Sequence, residues 1–245
     1  MESDKIIRVP CFIESLEKVK TVSAGDCHSA AINEKGELFV WGCNLTGACG
    51  FPPNEKYILA PRELVIEEGG KKKLKEVKCG DTFTVVQTEE NELFAFGFDG
   101  FSQLGNPSEE SLCPPRKVKF EEEARIKCFS VGSSHCVAIS EEGKLYSWGR
   151  HSHFETGHSE TEEVVAAPKM LDIKDSSHKF SNVYCGGSTS FFVDDHSNLF
   201  SVGLSEEGQT GTGNQSLLSS PQRVNFGEGK VVKFAASSSH CILLI

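Results

Sequence analysis

The sequence predicts an all-β fold, a propeller of four-stranded blades, on three observations. One hairpin pattern returns four times at a nearly constant interval. The strands it implies are apolar on both faces. No ten-residue window carries a convincing helical period, the nearest being the short "EEEARIKCF". The stretch "HSAAINEKGELFVWG" (28–42) sets the pattern, with an apolar run, a polar turn ending in glycine, and a second apolar run closing on Trp-Gly. A lone hairpin of this kind is marginal in water, so its neighbours must bury it.

Each element of the unit has its own signal. "VKTVSA" alternates and reads as a first strand, and a small-residue turn follows, "AGDCH" at Gly25. That turn returns as "CGDTF" at Gly80, "VGSSH" at Gly132 and "CGGST" at Gly186. The hairpin supplies the second and third strands. Its closing glycines, Gly42, Gly97, Gly149 and Gly203, stand 55, 52 and 54 residues apart. Glycine suits these places because turns there need positive φ or close backbone approach. Next comes a loop ending on Gly50, Gly105, Gly157 or Gly211. A proline (Pro61, Pro115, Pro168, Pro221) then marks a fourth strand, expected at its start and at the sheet edge. In "ELFVWG", Leu38 and Val40 point one way, and Phe39 and Trp41 the other. A sheet apolar on both faces must be packed on both, which sequential four-stranded blades achieve.

The 245 residues read as a single propeller domain. Residues 1–21 form an opening strand and repeats cover 22–76, 77–128, 129–182 and 183–233. Residues 234–245 begin a partial fifth unit. "RVPCFIE" near the start resembles a proline strand, and "VVKFAASSSHCILLI" at the end resembles a first and second strand. Two architectures satisfy this: a five-bladed ring closed by pairing residues 8–15 with 230–245, or an open arc, favoured because the fifth blade would lack its "LYSWG" strand.

Net charge is −10, which disfavours broad nucleic-acid binding, and no run nears the roughly 20 apolar residues of a membrane helix. Ten cysteines without a CxxC pair, and a start lacking an apolar signal region, read as reduced, mostly buried thiols in the cytosol or nucleus. Cys43 and Cys49 flank one loop at a spacing that also admits a reversible disulfide.

"VSAGDCHSAAINEKGELFVWGCNLTGACG" and "FSVGSSHCVAISEEGKLYSWG" resemble repeats of the regulator of chromosome condensation family. The landmarks Gly25, His28, Trp41 and Gly42, with Gly132, His135, Trp148 and Gly149, carry the likeness, and Gly80, Gly97, Gly186, Gly203 and His240 extend it. Phe83 and Thr189 depart from the turn histidine, Ser237 from the turn glycine, and Phe96 and Val202 from the tryptophan. The resemblance implies a propeller whose familiar form has seven blades, which needs about 370 residues at this repeat length. It also implies guanine-nucleotide exchange on the small nuclear GTPase Ran, by loops wedged against the nucleotide site and without covalent chemistry. Against that activity stand the short ring and the missing basic tail.

The turn histidines His28, His135 and His240 are expected to brace their own turns. His151, His153 and His158 in "HSHFETGH" have no recognised zinc spacing. "KKKLK" (71–75) reads as a solubilising run, a nuclear import signal or a phosphate contact, and Glu121–Glu123 as solvated loop charge. No nucleophile or phosphate-loop motif occurs, so no covalent chemistry, cofactor or metal is expected. The function read from the sequence is a protein-interaction scaffold, with exchange on a small GTPase as the alternative. Its contacts are expected from segments 51–60, 106–114, 158–167 and 214–220, with an acidic surface favouring basic partners.

Overall fold

The computed structural model describes residues 12–106, 112–173, 179–227 and 229–245. Every element in them is a strand. Blade 1 comprises β1 (Val19–Ala24), β2 (His28–Asn33), β3 (Leu38–Cys43) and β4 (Tyr57–Leu64). Blade 2 comprises β5 (Leu74–Cys79), β6 (Phe83–Thr88), β7 (Leu93–Phe98) and β8 (Leu112–Lys117). Blade 3 has β9 (Ile126–Val131), β10 (His135–Ser140), β11 (Leu145–Arg150) and β12 (Val164–Met170). Blade 4 has β13 (Phe180–Cys185), β14 (Thr189–Asp194), β15 (Leu199–Gly203) and β16 (Leu218–Val224). A terminal hairpin, β17 (Lys233–Ala236) with β18 (Cys241–Leu244), completes the row. Each blade is an antiparallel sheet in chain order, and the first strands open a few residues ahead of the repeat units read from the sequence.

Successive blades are face to face, and one apolar cluster fills each interface. Ile32, Val40, Val77, Val86 and Phe96 join blades 1 and 2. Phe83, Phe129, Ala138, Tyr146 and Trp148 join blades 2 and 3, and Val137, Ile139, Phe180, Phe192 and Val202 join blades 3 and 4. Phe191, Leu199, Phe234 and Leu243 hold the terminal hairpin on blade 4. The inner strands of blades 2, 3 and 4 thus each feed two interfaces through their alternate residues, which is why both faces are apolar. Trp148 is fully buried, whereas Trp41, at the same repeat position on blade 1, is half-buried.

The prolines correct one expectation. They stand inside β4, β8, β12 and β16 rather than at their starts. These strands are outermost in their sheets, where a missing N–H costs no ladder bond. Each pairs with its neighbour across a register shift, between Val40 and Gly42 in blade 1 and at matching places in the others. The proline strand expected around Pro10 lies outside the described residues.

The landmark glycines are fixed by close approach. A Cβ on Gly25, Gly80, Gly132 or Gly186 would lie 2.2, 2.8, 2.6 or 2.4 Å from the turn carbonyl of the next blade (Gly80, Gly132, Gly186, Ser237). Gly42, Gly97, Gly149 and Gly203 hold φ between 101° and 116°, with a carbonyl 2.4–2.7 Å from where a Cβ would sit.

Candidate partner-binding surface

Two ends of the blade row are free to meet a partner. One end carries the turns between first and second strands and the long loops after third strands. The other carries the hairpin turns and the connections from one blade to the next.

At the loop end, a chain of backbone bonds crosses every interface. Asp26 N donates to Asp81 O, Asp81 N to Ser133 O, Ser133 N to Gly187 O, and Gly187 N to Ser237 O, at 3.4, 3.2, 3.0 and 3.3 Å. The turn histidines reach further than their own turns, which corrects the sequence expectation. His28 Nε2 lies 2.8 Å from Thr84 Oγ1, whose proton goes to Ala48 O at 2.8 Å. His135 Nε2 lies 2.9 Å from Ser190 Oγ, which donates to Glu155 O at 2.6 Å. Since each hydroxyl spends its proton on a carbonyl, each histidine must donate, and each is a neutral Nε2–H tautomer. Burial depresses the His28 imidazole to about 4 and that of His135 to about 3. Where blade 2 has Phe83 for histidine, the facing residue is the thiol Cys136, in the same apolar cluster. At these three interfaces histidine meets a hydroxyl and phenylalanine a thiol. His240 braces its own turn through Ser237 Oγ at 2.9 Å, as expected.

The long loops are organised by a position that the sequence reading passed over, two residues after the closing glycine. Asn44 Nδ2 donates to the carbonyls of Phe51, Pro52 and Glu55, and its Oδ1 accepts from Cys49 N. Asp99 Oδ1 accepts from Leu104 N. His151 pairs with Thr156 Oγ1 and Glu160 O, and Ser205 with Thr210 Oγ1 and Asn214 O. Four residue types do one job, and the shared cue is only a polar residue at a fixed offset. These bonds absorb both ring nitrogens of His151, and His158 Nε2 meets Ser147 Oγ at 3.0 Å. Glu155, 1% exposed, is the acidic version of Gln103 and Gln209, and burial raises its carboxyl above the usual range. The segments expected to make contacts are partly strand, since β4, β12 and β16 take their second halves, and 107–111 lies outside the described residues.

The opposite end is acidic. Its exposed carboxylates include Glu34, Glu67, Glu68, Glu89, Glu90, Glu121, Glu122, Glu123, Glu141 and Glu142. A groove of about 620 Å³ between blades 2 and 3 is lined by Phe120 and by charges of both signs, the carboxylates of Glu90, Glu92 and Glu121–Glu123 and the cations of Lys72, Lys117, Lys119 and Arg125. Three lysines of the basic run 71–75 are paired here. Lys71 pairs with Glu63 and Lys72 with Glu92, both at 2.8 Å, and Lys75 bonds Asn91. Among the described residues, one trio of ligand-type side chains converges, Asp194, Asp195 and His196, and Asp194 there closes the β14–β15 turn through the Asn198 amides. Eight cysteines, Cys43 and Cys49 included, are free thiols. Burial raises Cys49 and Cys185 to about 12 and Cys79 to about 11, away from thiolate reactivity. No helix among the described residues is long and apolar enough to cross a membrane.

The sequence pattern of the regulator of chromosome condensation (RCC1) repeat matches residues 35–87, 90–139 and 197–244, and a second pattern of the same repeat matches 19–48 and 126–155. The chain belongs to the RCC1-repeat family. It is 30% identical over 222 residues to human HERC4, a probable E3 ubiquitin-protein ligase, covering 89% of this chain and 21% of that protein. It is 25% identical to the regulator of chromosome condensation of Xenopus laevis, covering all of this chain and 61% of that one. Among solved structures it resembles Saccharomyces cerevisiae Prp20p, whose binding to Gsp1p and histones has been described. There the TM-score is 0.79 at 20% identity, over 94% of this chain and 56% of that one, which shows a shared fold. The chain therefore spans between a fifth and three fifths of these relatives' lengths.

Proposed function

We propose that this RCC1-repeat chain is a protein-binding scaffold whose acidic end receives basic protein segments. The observation that carries this reading is the ridge of exposed carboxylates over blades 1–3, with Glu121–Glu123 beside a groove that offers Phe120. Rigid blades fix the carboxylates in space. Their summed field steers a cationic segment, and the groove takes its aliphatic stems. Such a site recognises and does no covalent chemistry, in keeping with repeats that form a binding domain.

The test is fluorescence anisotropy with a labelled Lys/Arg-rich peptide. Binding is expected at low ionic strength and should weaken steeply with salt. The triple change Glu121→Lys, Glu122→Lys, Glu123→Lys should lower affinity at least tenfold. Equal binding by the triple variant sinks the proposal.

A second reading, exchange on a small GTPase, is favoured by the similarity to the Xenopus regulator along the whole chain and by the Gsp1p binding of Prp20p. Release of a labelled nucleotide from loaded Ran-type GTPases measures it directly. Acceleration supports this reading, and a flat trace across several GTPases removes it.

A further inference from the structure

Arginine in this chain is held by one arrangement, an aromatic face with a carboxylate beside it. The Arg62 guanidinium lies 3.5 Å from the centre of the Phe51 ring, and its two terminal nitrogens donate to Glu55 at 2.7 and 2.8 Å. The Arg150 guanidinium lies 5.3 Å from the centre of the Phe101 ring, with its Nε 3.9 Å from the Glu155 carboxylate. Lysines pair differently. Lys71, Lys72, Lys117, Lys144 and Lys169 meet carboxylates, and no lysine among the described residues lies over a ring. The groove between blades 2 and 3 presents both components of the arginine arrangement. Phe120 packs at right angles on Tyr146 and Trp148, is half-buried, and lines the groove. At the same repeat position, Ile66 and Ile173 are buried aliphatic residues. Glu121 and Glu123 follow Phe120, are exposed, and join no salt bridge among the described residues. Lys72 and Lys117 are both taken by Glu92, and Glu122 by Lys144. That leaves Glu90, Glu121 and Glu123 in the groove against Lys119 and Arg125. The groove between blades 1 and 2, lined by Glu34, Glu37, Glu89 and Lys71–Lys73, carries no aromatic side chain among the described residues.

We infer that the groove between blades 2 and 3 selects arginine over lysine in the basic segment that docks there, the guanidinium lying against the Phe120 ring and bonding to the carboxylates of Glu121 and Glu123. The inference rests on the scaffold reading and names the side chain that the site prefers. Planarity is the physical reason. A guanidinium stacks on an aromatic face, is weakly hydrated, and presents paired N–H groups to a carboxylate. An ammonium is a compact, strongly hydrated point charge that gives up more water on moving from solvent to a ring. Plain charge attraction treats the two alike, so a difference between them reports the ring.

Two labelled peptides of equal length and charge test it by fluorescence anisotropy at one ionic strength, one with arginine and one with lysine at every basic position. The arginine peptide should bind about threefold or more tightly than the lysine peptide. Phe120→Leu should bring the arginine peptide down to the affinity of the lysine peptide and leave the latter unchanged. Phe120→Tyr, which keeps a ring, should retain the preference. Phe120 packs on Trp148, so thermal melts check that both variants fold. The double change Glu121→Gln with Glu123→Gln alters only exposed side chains, and should cost the arginine peptide more affinity than the lysine peptide. Equal binding of the two peptides, both weakened by the triple change of Glu121–Glu123, overturns the arginine preference and leaves the scaffold reading standing. A preference that survives Phe120→Leu in a folded variant overturns it too, as do equal losses for both peptides in the Glu121 and Glu123 double variant. No binding of either peptide removes the scaffold reading, and this inference with it.

Discussion

The unit of specificity in this molecule is a pair of residues facing each other across a blade interface. His28 with Thr84 and His135 with Ser190 are buried and fully bonded, while Phe83 with Cys136 is apolar. This chemistry sets a pH dependence. His28, His135 and His158 have folded-state values of about 4, 3 and 4, below an unfolded value of about 6.5. Between those values the unfolded chain binds more protons. Their contribution is therefore complete above about pH 6.5 and is lost as pH falls towards the folded values, by up to about 1.4 kcal/mol per histidine per pH unit. Glu155 acts in the opposite sense. Its folded value is raised, so its contribution is present below the unfolded value of about 4.3 and is lost as pH rises through the folded one. Thermal melts from pH 7.5 to 5 should show a falling midpoint. The double change His135→Phe with Ser190→Cys, which copies the Phe83–Cys136 pair, should fold and lose part of that fall. His135→Ala alone should cost about 1–3 kcal/mol, since it strips Ser190 of its donor and leaves a hole. Equal pH slopes in the unaltered protein and the double variant would refute the pairing rule.

At the scale of strands and loops, alternation does most of the work. β6, β10 and β14 are buried on both faces because each strand serves two interfaces. The interfaces differ in kind. Blades 1 and 2, and blades 3 and 4, are pinned by histidines and by Ser23 and Ser130, which accept the Cys79 and Cys185 amides at 2.9 and 3.0 Å. Blades 2 and 3 rely on aromatic packing, with Trp148 donating to Gln103 O at 3.0 Å and Phe120 edge-on to Trp148 and Tyr146. Trp148→Ala should cost about 3–5 kcal/mol in denaturant unfolding, and the half-buried Trp41 clearly less. Near-equal losses would mean that blade 1 is covered after all. Gly132→Ala should also destabilise strongly, because the new methyl meets Gly186 O and the His135 ring, whereas Gly213→Ala meets nothing within 4 Å and should cost only its positive-φ strain.

For the molecule as a whole, the ends of the row are the decisive feature. Interior blades are covered on both sides, whereas Val22 on blade 1 and Ile242 on the hairpin β17–β18 are each 67% exposed. Stability should therefore grade along the chain, since a repeat array adds nearest-neighbour terms and an end unit lacks one. Hydrogen exchange should find β10 and β14 slowest and β1 and β17 fastest, and uniform protection would show that the end faces are covered in solution.

The blade count, the four-strand plan and the structural glycines were legible in the primary sequence, because period and two-sided apolarity are local properties that each repeat states again. The histidine role was half legible. Its position was plain, but His28 and Thr84 are 56 residues apart, and nothing in either repeat says that the ring crosses to the next blade. Asn44, Asp99, His151 and Ser205 hid as loop organisers because four residue types share one task, so identity gave no signal and only the bonds they make revealed it. The acidic ridge needed three dimensions, since hairpin turns and blade connections distant in sequence meet at one end only once the sheets stack. The open faces needed them as well: exposure is a property of what packs beside a residue, and Val22 and Val77 read alike until one has a neighbouring blade and the other does not.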